Sequence, residues 1–188
     1  MAAPKLAVGD SWEFVYSRNT RRAASVGTTF TETIASGGPR EFTLSSGARL
    51  VASPLAFRNR VSSGKTVREF RPHGLSIRFP LIVGKAWRDD YEMRDPDPAS
   101  KFAGRVRAGA RADRAEVVTV PAGTFEAVVV EHEWTYEDSH GVRETGRRKV
   151  WYSEDAAFWV RFEYETSDAK GERIEAYLYE LKRFTRAR

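Results

Sequence analysis

Val117-Val118-Thr119-Val120-Pro121-Ala122-Gly123-Thr124-Phe125-Glu126-Ala127-Val128-Val129-Val130-Glu131-His132-Glu133-Trp134-Thr135-Tyr136 is the longest β-prone segment of the chain, and a Pro-Ala-Gly corner splits it into two strands. In the second strand Val128, Val130, His132, Trp134 and Tyr136 point to one side. Phe125, Ala127 and Val129 point to the other, until Glu131, Glu133 and Thr135 take over. Such a strand is buried on both faces where it starts and on one face where it ends, the pattern of a central strand leaving the core.

Outward from this stretch, the downstream runs Arg147 to Ser153, Phe158 to Thr166 and Glu172 to Phe184 alternate similarly and are joined by Asp138-Ser139-His140-Gly141 and Ser167-Asp168-Ala169-Lys170-Gly171. These read as hairpins. The last run also satisfies helical spacing through Ile174, Tyr177, Leu178 and Leu181, but the turn at Gly171 and the alternation of its predecessor predict a strand. Upstream, Lys101 to Arg111 and Glu116 to Val120 read as strands, and Asp95-Pro96-Asp97-Pro98-Ala99-Ser100 fits a loop, or a short helix through Ala99 to Gly104. Earlier still, turns at Ser36-Gly37-Gly38-Pro39, Ser45-Ser46-Gly47, Ser62-Ser63-Gly64-Lys65 and Pro72-His73-Gly74 cut the chain into short runs with one apolar and one wet face.

One pattern occurs twice. Leu6-x-Val8-Gly9-x-x-Trp12-x-x-x-Tyr16 returns as Leu81-x-Val83-Gly84-x-x-Trp87-x-x-x-Tyr91, 75 residues later (81 minus 6). Residues 1–188 are therefore expected to form a single domain, with two related halves opening at Leu6 and Leu81. Roughly ten to twelve short strands cannot bury themselves as one flat sheet. The expected fold is all-β with little helix: an antiparallel sheet curved into a half-barrel or barrel. Its concave face would collect Trp12, Trp87, Val128, Val130, Trp134, Phe158, Phe162 and Tyr164.

Composition excludes several functions. The chain has no Cys, which removes disulfides, thiolate metal sites and cysteine nucleophiles. No apolar run approaches the roughly 18 to 20 residues of a membrane-crossing helix. Met1-Ala2-Ala3-Pro4 is too short to be a signal peptide, which suggests a mature chain whose export signal has been removed and a periplasmic location; a short cytoplasmic protein could begin the same way.

Ser63-Gly64-Lys65-Thr66 imitates the tail of a phosphate-binding loop, yet Asn59 stands where the first glycine belongs, so a hairpin turn is the better reading. His73, His132 and His140 show no ligand spacing, and His132 reads as a core histidine bonded to a neighbour. Asp89, Asp90, Glu92, Asp95 and Asp97 lack the order of a calcium loop and read as a solvated edge. No metal or cofactor is expected. Glu131 and Glu133 share a strand face with carboxylates on the order of 6 to 7 Å apart, a separation that glycoside hydrolysis uses, so a hydrolase is one alternative.

Of the 31 basic residues 24 are Arg, and the net charge is +5. Arg18-Arg21-Arg22, Arg105-Arg107-Arg111-Arg114, Arg147-Arg148-Lys149 and Arg183-Arg186-Arg188 are the clusters through which a nucleic acid or another anionic surface could bind, a second alternative. Interspersed Asp and Glu disfavour it.

The V-G-x-x-W strand openings, Val120-Pro121-Ala122-Gly123-Thr124-Phe125-Glu126-Ala127, Val150-Trp151-Tyr152-Ser153, Trp159-Val160-Arg161-Phe162 and the closing Glu180-Leu181 together resemble an uncharacterised family of bacterial envelope proteins, mostly exported. That family's sheet is similar to the lipoprotein-carrier half-barrel, and the resemblance is best over Leu81 to Phe184. It implies an exported, non-enzymatic β-protein that shelters an apolar or lipid-like ligand or docks on an envelope partner protein. It brings no catalytic residues. With such a ligand, Arg105, Arg107 and Arg147 would form a rim for an anionic headgroup. A plug formed by Glu172 to Phe184 would instead leave a dry core and a docking module. Oligomeric state stays open.

Overall fold

A computed structural model describes residues 1–21 and 23–187. Among them no residue is helical, and fourteen strands account for the architecture. They are β1 (Ser11–Thr20), β2 (Ala24–Gly37), β3 (Glu41–Leu44), β4 (Arg49–Ala52), β5 (Leu55–Phe57), β6 (Asn59–Ser62), β7 (Lys65–Arg71), β8 (Ala86–Arg88), β9 (Tyr91–Arg94), β10 (Ala103–Val120), β11 (Gly123–Asp138), β12 (Arg143–Ser153), β13 (Phe158–Asp168) and β14 (Arg173–Thr185). One antiparallel sheet runs β5-β4-β3-β2-β1-β14-β13-β12-β11-β10-β9-β7-β6, with β8 pairing beside β9 on β10.

The all-β curved sheet is as expected, but the strand number exceeds ten to twelve. Between Glu41 and Arg94, Gly, Ser and Pro turns divide the chain into seven strands of three to seven residues. The runs Lys101–Arg111 and Glu116–Val120 go the other way and merge into the 18-residue β10, which absorbs the break as a bulge between Ala112 and Arg114. Glu172 to Phe184 lies within the wall as strand β14 and plugs nothing.

The two ends of the strand order, β5 and β6, are separated in the chain by Arg58 alone, so the sheet must curl until its edges meet. Arg58 itself makes the seam. Its N–H donates to the Arg49 carbonyl on β4 at 2.9 Å, and its carbonyl accepts from the Phe70 N–H on β7 at 2.8 Å. The buried Asn59 side chain adds two bonds across the same gap, from the Arg49 N–H (2.7 Å) and to the Gly47 carbonyl (3.2 Å), and a third to the Thr66 hydroxyl on the neighbouring β7 (3.0 Å). The result is a nearly closed barrel.

The two Gly-x-x-Trp openings build the same local device. Gly9 and Gly84 hold φ of 95° and 88°, a left-handed conformation that suits glycine. Gly9 N–H donates to Ile34 O at 2.9 Å, and Ile34 N–H returns a bond to Asp10 O at 2.8 Å. In the second opening Gly84 N–H donates to Ala112 O, and Ala112 N–H to Lys85 O, both at 2.8 Å. The openings then diverge: β1 continues for ten residues between β2 and β14, whereas β8 stops after three.

Near the β10–β11 turn the interior is solid. Trp12 stacks on Phe158 at 4.7 Å and Phe14 on Trp159 at 4.0 Å, over buried Ile34, Leu44, Val130, Val150 and Leu181. Each such side chain contributes about 1.5–3 kcal/mol on burial. The turn itself closes this end: Ala122 N–H donates to Leu181 O at 2.9 Å, joining it to β14 across the curl of the sheet.

Candidate functional site

Moving along the strands away from that end, the inward-facing residues can be followed as cross-strand rows. The first row runs Ala112, Val130, Val150, Phe162, Tyr179, Tyr16. The second runs Trp87, Ala110, His132, Arg148, Tyr164, Tyr177, Arg18. Ala108, Trp134, Gly146, Thr166 and Glu175 make the third, and Tyr91, Val106, Tyr136 and Glu144 the fourth. Polar groups enter from the second row onward, because period-2 alternation sends every second residue inward and those residues change from Val and Phe to His, Arg, Thr and Glu.

Beyond the first row the side chains no longer fill the barrel. A cavity of about 810 Å³ remains, within the range of small-molecule sites. Val150, Phe158, Phe162, Tyr164, Tyr177 and Tyr179 wall one side, and Phe30, Leu50, Leu55, Phe57, Phe70 and Ile77 the other. Its lining reaches the exposed Val142, so it opens beside the β11–β12 turn. Gly146 keeps the space: a Cβ there would overlap the Trp134 indole, which lies across the glycine.

Of the residues expected on the concave face, Trp134, Phe158, Phe162 and Tyr164 line this cavity. Trp12 lies in the solid end, its Nε1–H donating to the Ala156 carbonyl at 2.8 Å, and Val128 and Val130 are buried in the same core. Trp87 stands at the β8 end of the second row, edge-on to His132 at 6.0 Å and outside the cavity lining.

Behind that row is a buried polar network. Asp89, 2% exposed, accepts from the Ser76 N–H (2.7 Å), the Ser76 hydroxyl (2.8 Å), Trp87 Nε1–H (3.2 Å) and Arg78 (3.1 Å). At Asp89 alone this corrects the reading of the acidic segment as a solvated edge: four donors replace water around its carboxylate, while Asp90 and Asp97 are exposed. Burial pushes the carboxyl up, but the His132 ring 3.6 Å away and the hydrogen bonds from Ser76 outweigh it and hold Asp89 well below the usual range.

His132 is the core histidine expected. Its Nε2 lies 2.8 Å from the Ser76 carbonyl, which can only accept, so Nε2 carries the proton and Nδ1 is left as an acceptor. Arg148 Nη2 lies 3.0 Å from Nε2 and 3.3 Å from Nδ1, and with Nε2 protonated only Nδ1 can accept from it. Burial, reinforced by the Arg148 charge, pushes the imidazole down to about 4.

The arginine clusters are mostly neutralised. Arg18 pairs with Glu175 (3.3 Å), Arg21 with Asp168 (2.6 Å), Arg114 with Asp113 (2.8 Å), Arg183 with Glu13 (3.0 Å) and Arg186 with Asp10 (3.1 Å). Arg111 also pairs with Asp113. Arg22 and Arg188 lie outside the described residues. Arg105, Arg107 and Arg147 are on the convex face, away from the cavity. Arg105 is 3.8 Å from Glu92 and Arg147 3.2 Å from Glu165, and Arg107 and Arg147 flank Glu133 in a shallow outer groove of about 520 Å³. Glu131, on the same outer face, pairs with Lys149 at 2.8 Å.

The cavity-lining residues that sequence reasoning did not assign to the concave face include Arg148, Tyr91, Tyr177 and Tyr179. Strand parity was the signal: in Arg147-Arg148-Lys149, Arg147 and Lys149 point out and Arg148 points into the cavity.

No protein-family model and no curated protein matches the chain. Three solved structures match almost its whole length. A candidate lipoprotein of Parabacteroides distasonis superposes with a TM-score of 0.63 at 14% identity, covering 98% of this chain and 99% of the other. A candidate exported protein of Bacteroides fragilis with a YmcC-like fold gives 0.56 at 13%, over 98% and 99%. The hypothetical lipoprotein YmcC of Escherichia coli gives 0.51 at 9%, over 92% and 84%. The chain shares their fold. At these identities the likeness concerns the sheet, and the cavity chemistry rests on this chain's own residues.

Proposed function

We propose that the protein is a non-enzymatic binding module of the bacterial envelope that shelters an apolar or lipid-like molecule in its barrel. One observation carries this reading: about 810 Å³ of aromatic-walled space that the chain leaves unfilled, open at one end. The fold likeness to proteins described as lipoproteins or as exported supports an extracytoplasmic location, and the periplasm suits a ligand of this kind. Against the hydrolase, Glu131 is held by Lys149, and Glu133 stands among Arg107 and Arg147 on the convex face, outside the cavity. Against a nucleic-acid surface, most cluster arginines are tied to carboxylates.

Native mass spectrometry and solvent extraction of the purified protein test the reading. The expected result is a co-purifying apolar guest, or a melting temperature that rises with excess fatty acid or lysophospholipid, because a ligand of the folded state alone must stabilise it. No guest together with no shift would remove it.

A further inference from the structure

Arg148 differs from the other arginines of its clusters. Among the described residues of those clusters, every arginine except Arg107 and Arg148 has a carboxylate within 4.0 Å, and Arg107 is exposed on the outer face. Arg148 is inside. Among the described residues its buried Nε has no hydrogen-bond partner and its guanidinium hydrogen-bonds only the His132 ring, with the Phe162 ring 5.8 Å away. A buried cation left this way costs several kcal/mol unless something compensates it.

The protein supplies only part of the compensation, through the charge of Asp89. The nearest acid, Asp89, lies behind His132 and is already saturated by Ser76, Trp87 and Arg78. Around Arg148 stand Tyr164, its partner on β13, and Tyr91 from β9, both close enough to act electrostatically on the guanidinium. Neither phenol makes a hydrogen bond within the described protein, and both line the cavity. Two phenol donors and a guanidinium thus border one aromatic space. They can donate to a carboxylate, and the guanidinium fork matches its two oxygens.

We infer that the cavity takes an amphiphile bearing a single carboxylate, with the carboxylate buried against Arg148, Tyr91 and Tyr164 and the hydrocarbon tail along Phe30, Leu50 and Phe57. This rests on the reading of the cavity as a ligand site and names the ligand's class. One charge is favoured over two because the other cations near the space are spoken for or lie outside: Arg18, in the same row, pairs with Glu175, Arg68 pairs with Asp95 and Arg60 is exposed, while Glu144, Asp138 and Glu175 line the space and would repel a dianion.

The test uses the delipidated full chain and four probes of equal length: decanoate, decan-1-ol, decylammonium and decyl phosphate, by calorimetry and melting temperature. Decanoate should bind about ten- to a hundred-fold tighter than decanol, the size of a charge-assisted hydrogen bond, and decylammonium weakest. In Arg148→Gln the decanoate preference should vanish while decanol binding is kept. The comparison among probes on the unsubstituted protein stands even if the variant folds poorly. Equal binding of decanoate and decanol would overturn the inference and leave the cavity reading intact, with Arg148 serving only the His132–Asp89 network. Tighter binding of decyl phosphate than of decanoate would overturn the choice of a carboxylate. Binding of none of the four would remove the cavity reading itself.

Discussion

Toward the β10–β11 turn, β11, β12 and β13 bury Val130, Val150 and Phe158 with Trp12 and Phe14 in a continuous apolar core, of which Phe14, Val150 and Phe158 also border the cavity. Toward the β11–β12 turn the same three strands send in His132, Arg148, Tyr164, Trp134 and Glu144, and space remains. Backbone pairing continues through both halves, so the difference is made by side chains alone. The solid end supplies the apolar burial that holds a barrel closed. The other end is relieved of that task and can carry polar groups poorly suited to a core.

The largest expected contrast comes from truncating one aromatic in each half. Trp12→Ala removes a fully buried indole and should cost about 3–5 kcal/mol in urea denaturation. Phe162→Ala only enlarges an existing space and should cost about 1–2 kcal/mol. Equal costs would mean that the cavity is collapsed in solution.

Acid should weaken the polar half selectively. His132 falls from 6.5 to about 4 in the folded protein, so the unfolded chain binds more protons between those values. Its contribution, on the order of 3 kcal/mol, is complete above pH 6.5 and is lost as the pH falls toward 4. The groups facing it are Arg148 from β12, Asp89 after β8 and Trp87 on β8. Asp89 is also depressed, so its own contribution is present above the usual carboxylate pKa and is lost at still lower pH. Denaturation at pH 4.5 and 7.5 should show the fall in the parent protein and a much smaller one in His132→Gln.

A third substitution turns part of the open half into core. Gly146→Ala forces the Trp134 indole off the glycine and into the cavity, an overpacking that should cost about 1–3 kcal/mol. Tryptophan fluorescence should shift and added fatty acid should no longer raise the melting temperature. An unchanged ligand response would place the binding space elsewhere.

Strand alternation in β11 and β13 made the sheet class and four cavity residues legible, because one residue in two must face inward. What stayed hidden had a non-local cause. Barrel closure depends on Arg58 joining two edges that are far apart in strand order. Asp89 is buried because Ser76 and Arg78, eleven or more residues away in sequence, turn their donors toward it. Arg147-Arg148-Lys149 was read as one basic cluster, yet the pleat of β12 divides it between two faces. Trp12 and Trp87 share a motif but not a role, because β1 is paired on both sides for its whole length and β8 is a three-residue edge.

The smallest stability change is expected at Arg148, and its sign separates a ligand group from a structural one. A salt-bridged core arginine would be costly to remove, since a buried carboxylate would be left alone. Arg148 has no such partner within 4.0 Å, and Asp89 keeps its Ser76, Trp87 and Arg78 bonds without it. Arg148→Met keeps the length and the apolar stem, deletes a poorly solvated charge, and should leave the unliganded protein within about 1 kcal/mol of the parent, on the stabilised side. The same change removes the charge that helps depress His132, so the imidazole pKa should move back toward 6.5 and the acid-sensitive window should narrow from its lower edge. Nuclear magnetic resonance titration of His132 reads the second effect independently of the first. A loss of several kcal/mol with an unmoved His132 would make Arg148 a structural member of the polar half.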